Sequence, residues 1–314
     1  MNPCDADREL TPAVAAALIE SAFPSIDSRE LRFLGAGCEF DAYLTIDGWV
    51  VRFPRRTHAA LLFERERRVH ELVAPVLPQG IAVPQTEFIG EPALGFPYRF
   101  AAHRFIPGIP VDETDSRFLP SLARQIALAL GAIHSVPEEA ARDAGIMDGD
   151  AGDEGGREWL KERLAGLSLL RGSDPIVDGA ARWVEQTPIP SGRFEGPLRL
   201  IHQDLSPEHL LVDPANGQLN GILDWTDAML GDAARDFVFL AAWRGWAYTE
   251  EVLRHYPHQV DTGFRDRLRF MARVLTPLWL GLAYERGTEV GKLTGWVHNV
   301  FAPELHGIQS RPRP

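Results

Sequence analysis

Two short apolar runs on either side of Asn216-Gly217 constrain the fold of this 314-residue chain more than any other feature. The runs are 210–212 and 219–223, and Asn-Gly accepts the positive φ angles of a tight β turn. With this dipeptide at the centre of a two-residue turn, the hairpin register pairs His209 with Asp224. Paired Cα atoms in a hairpin lie roughly 4.5–5.5 Å apart. A longer turn would shift the register by one or two residues and still leave the two side chains close.

The residues at the mouth of this hairpin have the spacing of a phosphoryl-transfer centre. Asp204 precedes His209 by five residues, and His202 precedes Asp204 by two. Protein kinases use the same order of a catalytic Asp, a metal ligand five residues on and a second metal-binding Asp. A carboxylate beside a metal-bound phosphate can accept a hydroxyl proton or orient the attacking hydroxyl. Each side chain alone would more often be a buried histidine or a turn cap, but their combined spacing favours catalysis.

The first hundred residues have the pattern of a small antiparallel sheet that carries one main helix. Apolar runs punctuated by glycine predict strands at 31–34, 42–46, 49–53, 86–89 and 98–105. Asp47-Gly48 predicts a hairpin between the second and third strands. Helices are predicted at 10–22, where Thr11-Pro12 supplies a cap and a first-turn proline, and at 58–74.

Pro107-Gly108-Ile109-Pro110 interrupts this pattern, as a hinge between two lobes would. Beyond it, apolar residues from Leu122 to Ile133 share one helical face. Further helices are predicted at 157–170, 176–186, 234–247, 249–256 and 262–286, and a single β segment is predicted at 198–224. The expected fold is therefore α+β and bilobal. Its parts are an N-terminal lobe (1–103), a hinge (104–110) and a helical lobe (111–314).

The composition limits the possible partners. The net charge is −12, from 32 basic and 44 acidic residues, which argues against nucleic acid or an anionic membrane as a partner. It suits a cationic small molecule, although many proteins are acidic only for solubility. No apolar stretch approaches the roughly 18 residues of a spanning helix, and the N-terminus lacks the pattern of a signal peptide. Cys4 and Cys38 make neither a disulfide framework nor a zinc site, so we expect a cytoplasmic location. We also expect a monomer.

Two segments resemble the antibiotic phosphotransferases, which are aminoglycoside and macrolide kinases with a protein-kinase-like fold. They are His202-Gln-Asp204-Leu-Ser-Pro-Glu-His209 and Gly-Ile-Leu-Asp224-Trp-Thr-Asp-Ala-Met-Leu-Gly231-Asp-Ala-Ala-Arg-Asp236-Phe. Histidine at 209, where most kinases have asparagine, is similar to the 2″-aminoglycoside and macrolide branches. The resemblance implies that Asp204 is the catalytic residue and that His209 and Asp224 bind Mg²⁺. It implies structural roles for His202 and Asp236.

The same resemblance implies a nucleotide clamp in the N-terminal lobe. Gly35-Ala-Gly37 lies where the family's nucleotide-covering loop belongs, and its backbone can approach phosphate. Arg52 stands where the family usually has a phosphate-binding lysine. Glu66 lies within the apolar stripe of the second helix and needs a partner. That partner is either Arg52, as in the kinase Lys–Glu pair, or a neighbouring arginine of the same helix.

Residues 103–106 are expected to form the hinge that reads the nucleotide base. They are His103, Arg104, Phe105 and Ile106. The implied cofactors are Mg²⁺ and either GTP or ATP as phosphate donor, and the resemblance to the 2″-aminoglycoside branch leans toward GTP.

Two sets of side chains in the helical lobe are candidates for binding the acceptor beside Asp204. Acidic side chains would suit an aminoglycoside: Asp148, Asp150, Asp153, Glu154, Glu250, Glu251 and Glu285. Aromatic side chains would suit a macrolide: Trp243, Trp246, Trp279 and Tyr284. Members of both sets can equally be solvated charges or parts of the core.

The sequence therefore predicts a kinase that transfers the γ-phosphate of a nucleoside triphosphate to a hydroxyl of a small antibiotic. An aminoglycoside is favoured because the Ser-Pro-Glu-His loop is more similar to that branch. A macrolide or other small-metabolite kinase is the first alternative. A pseudokinase that binds nucleotide without turnover is the second, because Arg52 departs from the family pattern.

Overall fold

The computed structural model describes residues 6–149, 163–172, 174–188 and 194–309, with side chains described as far as 302. Its architecture confirms the α+β prediction, because a lobe built on one antiparallel sheet precedes a mainly helical lobe. The first sheet is made of β1 (Leu31–Ala36), β2 (Phe40–Thr45), β3 (Trp49–Pro54), β4 (Phe88–Gly90) and β5 (Phe100–Arg104). In space the strands run in the order β1-β2-β3-β5-β4.

Two helices belong to the N-terminal part of the chain. The first, α1 (Pro12–Ala22), begins at the N-cap Thr11, whose hydroxyl accepts a hydrogen bond from the backbone of Val14. Its buried face packs with the aromatic side chains of the sheet in one apolar cluster. The second, α2 (Thr57–Val73), buries Val69 and Val73 in the core of the helical lobe instead. This helix therefore links the two lobes.

The helical lobe is built around one large apolar core. Its helices are α3 (Leu119–Ile133), α4 (Glu138–Asp143), α5 (Pro175–Gln186), α6 (Val238–His255), α7 (Phe264–Arg286) and α8 (Val290–Gln309). Its short strands are β6 (Ile109–Pro110), β7 (Arg199–Ile201), β8 (Leu210–Val212), β9 (Leu219–Ile222) and β10 (Met229–Gly231). They form the sheets β6-β8-β9 and β10-β7.

Several elements differ from the sequence expectation. The helices α4 and α8 were not predicted, and strands β6 and β10 lie outside the single predicted β segment. The predicted helix break near 248 occurs at Gly245 instead, whose φ of 76° kinks α6. Residues 163–166 are helical and 167–170 form a 3-10 turn. Residues 157–162 of that predicted helix lie outside the described residues.

The hairpin β8–β9 forms, but the two-residue turn predicted for it is wrong. The carboxylate of Asp213 accepts hydrogen bonds from the Ala215 backbone and the Asn216 side chain, so the turn begins at Asp213. Its backbone pairs with Gln218 around a four-residue loop. The register pairs Leu210 with Ile222, one residue away from the predicted register.

Gly108 allows the connection between the lobes to lie against the hairpin. Its φ is 151°, and a Cβ atom there would lie 3.0 Å from the Cβ of Leu211. This close approach lets Ile109 pair with Val212 of β8. From the other side, the carbonyl of Ala82 accepts the backbone N–H of Ile222. The hairpin is thus held by segments that precede and follow β4 and β5.

Within the described residues, no helix combines the length and the apolar character needed to cross a bilayer.

Candidate active site

The imidazole of His209 lies between the carboxylates of Asp204 and Asp224. Its Nε2 is 3.6 Å from Asp224 Oδ2, and its Nδ1 is 3.8 Å from Asp204 Oδ2. The ring is oriented by a 2.8 Å hydrogen bond in which Nδ1–H donates to the carbonyl of Asp204. This bond fixes the tautomer, so the Nε2 lone pair is directed toward Asp224 and can ligate a cation. The structure therefore brings together the three side chains predicted for the phosphoryl-transfer centre.

Two non-glycine residues in this centre have left-handed backbone conformations. Gln203, beside Asp204, has φ 74°, and Asp224 has φ 57°. Such conformations cost of order 1 kcal/mol or more for L-residues, and they persist where the surroundings hold them. One carboxylate oxygen of Asp224 accepts a 2.8 Å hydrogen bond from the Thr226 hydroxyl, which leaves the other facing His209.

Asp236 holds the loop that contains Asp204. The backbone N–H groups of His202 and Gln203 donate to its carboxylate at 2.9 and 2.8 Å, and His134 Nε2 lies 3.0 Å from it. Asp236 has no solvent exposure. Hydrogen bonds and the adjacent His134 outweigh the effect of burial and lower the pKa of Asp236 below its ordinary value.

His202 connects the Asp204 loop to the Asp224 loop. Its Nε2–H donates to the carbonyl of Leu223 at 2.8 Å, and its ring packs against Trp225 with centroids 4.5 Å apart. Burial, assisted by the nearby His209, lowers its pKa to about 4. A neutral, buried imidazole is suited to a structural role, and this is the role that the resemblance implies.

The electrostatics of Asp204 and Asp224 differ although both carboxylates contact the same imidazole. Burial raises the pKa of Asp204 to about 6; His209 partly offsets this effect, while Asp227 and Asp224 add to it. Burial also opposes the charge of Asp224, but His209, Arg52 and the Thr226 hydrogen bond outweigh it and lower its pKa. The ionised Asp224 suits cation binding, and the raised pKa of Asp204 suits proton acceptance.

Arg52 and Glu66 form an ion pair, the first of the two possibilities that the sequence left open for Glu66. Arg52 Nη1 lies 2.8 Å from Glu66 Oε1, and the Glu66 side chain is only 2% exposed. The same oxygen accepts a 3.4 Å hydrogen bond from the backbone of Trp225, next to Asp224. The guanidinium also stacks 4.1 Å from the ring centroid of Phe40. Arg52 is therefore fixed in the cleft by a carboxylate and an aromatic ring.

The remaining predicted nucleotide residues lie at the same cleft, with one exception. The turn from Gly35 to Gly37 and the side chains of His103, Phe105 and Ile106 line it. Burial and the charge of Arg52 lower the pKa of His103 to about 4. Arg104 instead stacks 3.6 Å above the Trp49 ring and is exposed. Cys38, in the glycine turn, is disulfide-bonded, which the sequence analysis did not anticipate.

The cleft encloses about 2250 Å³, more than the roughly 300–1,000 Å³ of a typical small-molecule pocket. It therefore has room for a nucleotide and an acceptor together. One wall of the cleft is formed by α7 and by Phe239 of α6. The α7 residues on this wall are Asp266, Arg267, Phe270, Met271, Val274, Leu275, Trp279, Leu282 and Arg286.

Few of the predicted acceptor residues lie at this wall. Trp279 and Asp148 line the cleft. Glu250 pairs with Arg265, and Glu251 pairs with Arg254, on the outer surface. Four others, Trp243, Trp246, Tyr284 and Glu285, do not line the cleft. Asp150, Asp153 and Glu154 lie outside the described residues.

Two cleft residues were missed by the sequence analysis. Asp227 lies three residues after Asp224, and burial together with the charge of Asp224 raises its pKa. Arg235 lies directly before Asp236 and faces the same cavity near Asp204. Both belong to the segment that carries the family resemblance, so their position beside named motif residues was the available signal.

The donor set fits a magnesium ion that is shared with a nucleotide. In the part of the chain that the structure describes, no group of three or more His, Cys, Asp or Glu side chains could hold a metal ion alone. Mg²⁺ is commonly held by one or two protein ligands together with substrate phosphates. Asp224 offers the oxygen ligand that Mg²⁺ prefers, and His209 offers a second donor 3.6 Å away.

The sheet lobe, the helical lobe and the cleft between them define a protein-kinase-like fold. The sequence model that describes the phosphotransferase enzyme family matches residues 30–279, so this chain belongs to that family. It is 25% identical over 254 residues to the uncharacterized protein YcbJ of Bacillus subtilis, covering 74% of this chain and 76% of YcbJ.

Solved structures share the same fold. One is the GDP complex of wild-type aminoglycoside 2'-phosphotransferase-IIIa, with TM-score 0.71 and 20% identity, covering 94% of this chain and all of that one. Another is the macrolide 2'-phosphotransferase MphH of Brachybacterium faecium, with TM-score 0.62 and 23% identity, covering 96% of this chain and 98% of MphH. At these identities the similarity establishes the fold alone.

Proposed function

We propose that this chain is a magnesium-dependent kinase that transfers the γ-phosphoryl group of GTP or ATP to a hydroxyl of a small antibiotic. The observation that carries the proposal is the position of His209 between Asp204 and Asp224 in a cleft large enough for two ligands. Membership of the phosphotransferase enzyme family supports the reaction type. The GDP complex of a structural neighbour supports a nucleotide donor.

In this reaction the acceptor oxygen forms a bond to the γ-phosphorus while the bond to the bridging oxygen of the nucleoside diphosphate breaks. Asp204 orients the acceptor hydroxyl and receives its proton, for which its raised pKa is suited. Bound Mg²⁺ would neutralise phosphate charge, with Asp224 and His209 as its protein ligands. Arg52, fixed by Glu66, would bind a nucleotide phosphate.

Consumption of nucleotide with Mg²⁺ tests this proposal. It is measured with ATP and GTP across aminoglycosides, macrolides, hydroxyl compounds that carry a carboxylate or phosphate, and no acceptor. Acceptor-stimulated turnover supports the proposal, and its absence with every acceptor in the panel contradicts it in favour of a non-catalytic nucleotide-binding protein. Asp204→Ala should lower turnover by about 10²–10⁴-fold and leave nucleotide affinity nearly intact. Asp224→Ala should instead weaken Mg²⁺-nucleotide binding.

A macrolide acceptor is the second candidate, and a specific observation favours it. The α7 wall of the cleft contributes six apolar side chains, including Trp279, beside three charged ones. Glu250 and Glu251, proposed for an aminoglycoside, pair instead with arginines outside the cleft. Turnover stimulated by macrolides alone would support this candidate. Stimulation by kanamycin-type sugars would support the aminoglycoside that the sequence favours.

A further inference from the structure

Arg235 places a positive charge in the cleft, on the side where Phe239 and Trp279 lie. It lies on the 3-10 turn Ala233–Phe237 and lines the cavity. Its Nη1 is buried and has no hydrogen-bond partner. Within the described residues it forms no ion pair, although Asp204, Asp227 and Asp236 are near enough to influence its charge. Two other arginines of the cleft are paired, Arg52 with Glu66 and Arg267 with Asp232 and Asp261.

A buried guanidinium without a partner is costly, because desolvation of a charge is repaid only by a close counter-charge or hydrogen bonds. Two aromatic rings repay part of this cost. The guanidinium carbon lies 5.8 Å from the centroid of Phe239 and 5.7 Å from that of Trp279, at the outer limit of a cation–π contact. These rings stack on each other with centroids 4.5 Å apart, so they form a rigid surface under the charge.

We propose that Arg235, Phe239 and Trp279 form an anion subsite that binds a carboxylate or phosphate group of the acceptor. This inference rests on the proposed function and narrows it to an acceptor that carries both an anionic group and the reacting hydroxyl. The flat rings and the apolar face of α7 bind the body of the acceptor. Arg235, which lines the cavity, binds its anionic group through its guanidinium.

The positive charge of the subsite also weakens the binding of one class of acceptor. An ammonium group close to the reacting hydroxyl would lie near Arg235, and two like charges in a desolvated cleft repel each other. Arg235 therefore disfavours polyamine sugars whose amines flank the hydroxyl that is modified. Arg235 is a specificity-determining residue in this proposal, and the proton transfer remains with Asp204.

A matched pair of probes tests the subsite directly. 4-(Hydroxymethyl)benzoate and 4-(hydroxymethyl)benzamide share a ring and a hydroxyl and differ in charge. Their binding to the full chain with Mg²⁺ and GDP or ADP is measured by titration calorimetry. The benzoate should bind about tenfold more tightly than the benzamide, since a charge-assisted hydrogen bond contributes at least that much. Equal binding of the two probes would overturn the proposal.

Variants separate the charge of Arg235 from its packing. Arg235→Met keeps an unbranched chain against the rings and should abolish the preference for the benzoate, while Arg235→Lys should retain part of it. Arg254→Met removes an exposed arginine outside the cleft and should leave the preference unchanged. A preference that survives in Arg235→Met would contradict the assignment.

Turnover measurements distinguish this proposal from the proposed function. If the wild type consumes no Mg²⁺-nucleotide with any acceptor, the kinase assignment fails, while the binding titration still reports on the subsite. If Arg235→Met loses turnover equally with anionic and neutral acceptors, Arg235 acts on the transferred phosphoryl group. That result would overturn the acceptor subsite.

Discussion

Replacement of Asp236 by asparagine should uncouple the loop that contains Asp204 from the helical core. The Asp236 carboxylate has no solvent exposure. One of its oxygens accepts from the His202 backbone and lies 3.0 Å from His134 Nε2, and the other accepts from the Gln203 backbone. Asparagine has the same shape, but it has one acceptor oxygen and an amide that only donates.

The size of the stability loss follows from the hydrogen bonds that the asparagine side chain cannot accept. In its better orientation the asparagine oxygen keeps the partners of the first carboxylate oxygen, and its NH₂ group then faces the N–H of Gln203. A hydrogen bond to a charged group contributes about 1.5–3 kcal/mol, and a buried donor left without a partner costs about 1–3 kcal/mol. The free energy of unfolding should therefore fall by about 3–5 kcal/mol, a large share of the roughly 5–15 kcal/mol typical of a folded protein.

Urea unfolding followed by tryptophan fluorescence measures this loss. With a slope of about 3 kcal/mol per M, the midpoint should fall by at least about 1 M. Asp143→Asn, an exposed change at the end of α4, is the matched control and should change stability by less than about 0.5 kcal/mol. Equal midpoints for Asp236→Asn and the control would refute the reasoning.

The stability that Asp236 contributes should decrease as the pH falls into the acid range. The pKa of Asp236 is lower in the folded protein than its ordinary value of 3.8. Its stabilising contribution is therefore complete above that value and is lost as the pH falls through the lower, folded-state pKa. The stability difference between the wild type and Asp236→Asn should consequently be constant near neutral pH and shrink below about pH 4. A difference that persists unchanged in acid would contradict this account.

The remaining predictions concern the nucleotide clamp and the hairpin turn. Glu66→Gln removes the charge that fixes Arg52 and should raise the KM for nucleotide about tenfold; an unchanged KM would argue against the clamp. Gly217→Ala should lower stability by at least about 1 kcal/mol, because φ is 71° and a Cβ would lie 2.4 Å from the Phe118 ring. Gly179→Ala, with open space inside α5, should instead stabilise the protein by about 0.5–1 kcal/mol, and a thermal melt compares the two.

Features that depend on local chemistry could be predicted from the sequence. Thr11 and Pro12 begin α1, and Asp47-Gly48 joins β2 to β3. The apolar face from Leu122 to Ile133 is buried along α3. In each case residues a few positions apart fix the backbone or one face of an element, and this local information is present in the chain itself.

The closeness of His209 and Asp224 was also predictable, since a short hairpin brings its two ends together whatever its exact turn. The register was not predictable from Asn216-Gly217 alone. The Asp213 side chain competes for the turn backbone and starts a longer loop, so the pairing moves by one residue.

Only the tertiary structure decided the partners of the charged side chains. Asp236 binds the backbone at His202, which is 34 residues away, and Glu251 pairs with Arg254 instead of facing the cleft. Arg235 is directed into the cleft by the turn that buries Asp236 beside it. The sequence by itself determined the order of the candidate site residues and the two-lobe pattern, because both follow from local spacing. The direction and partner of each charge depend on the packing of distant elements, which local spacing does not encode.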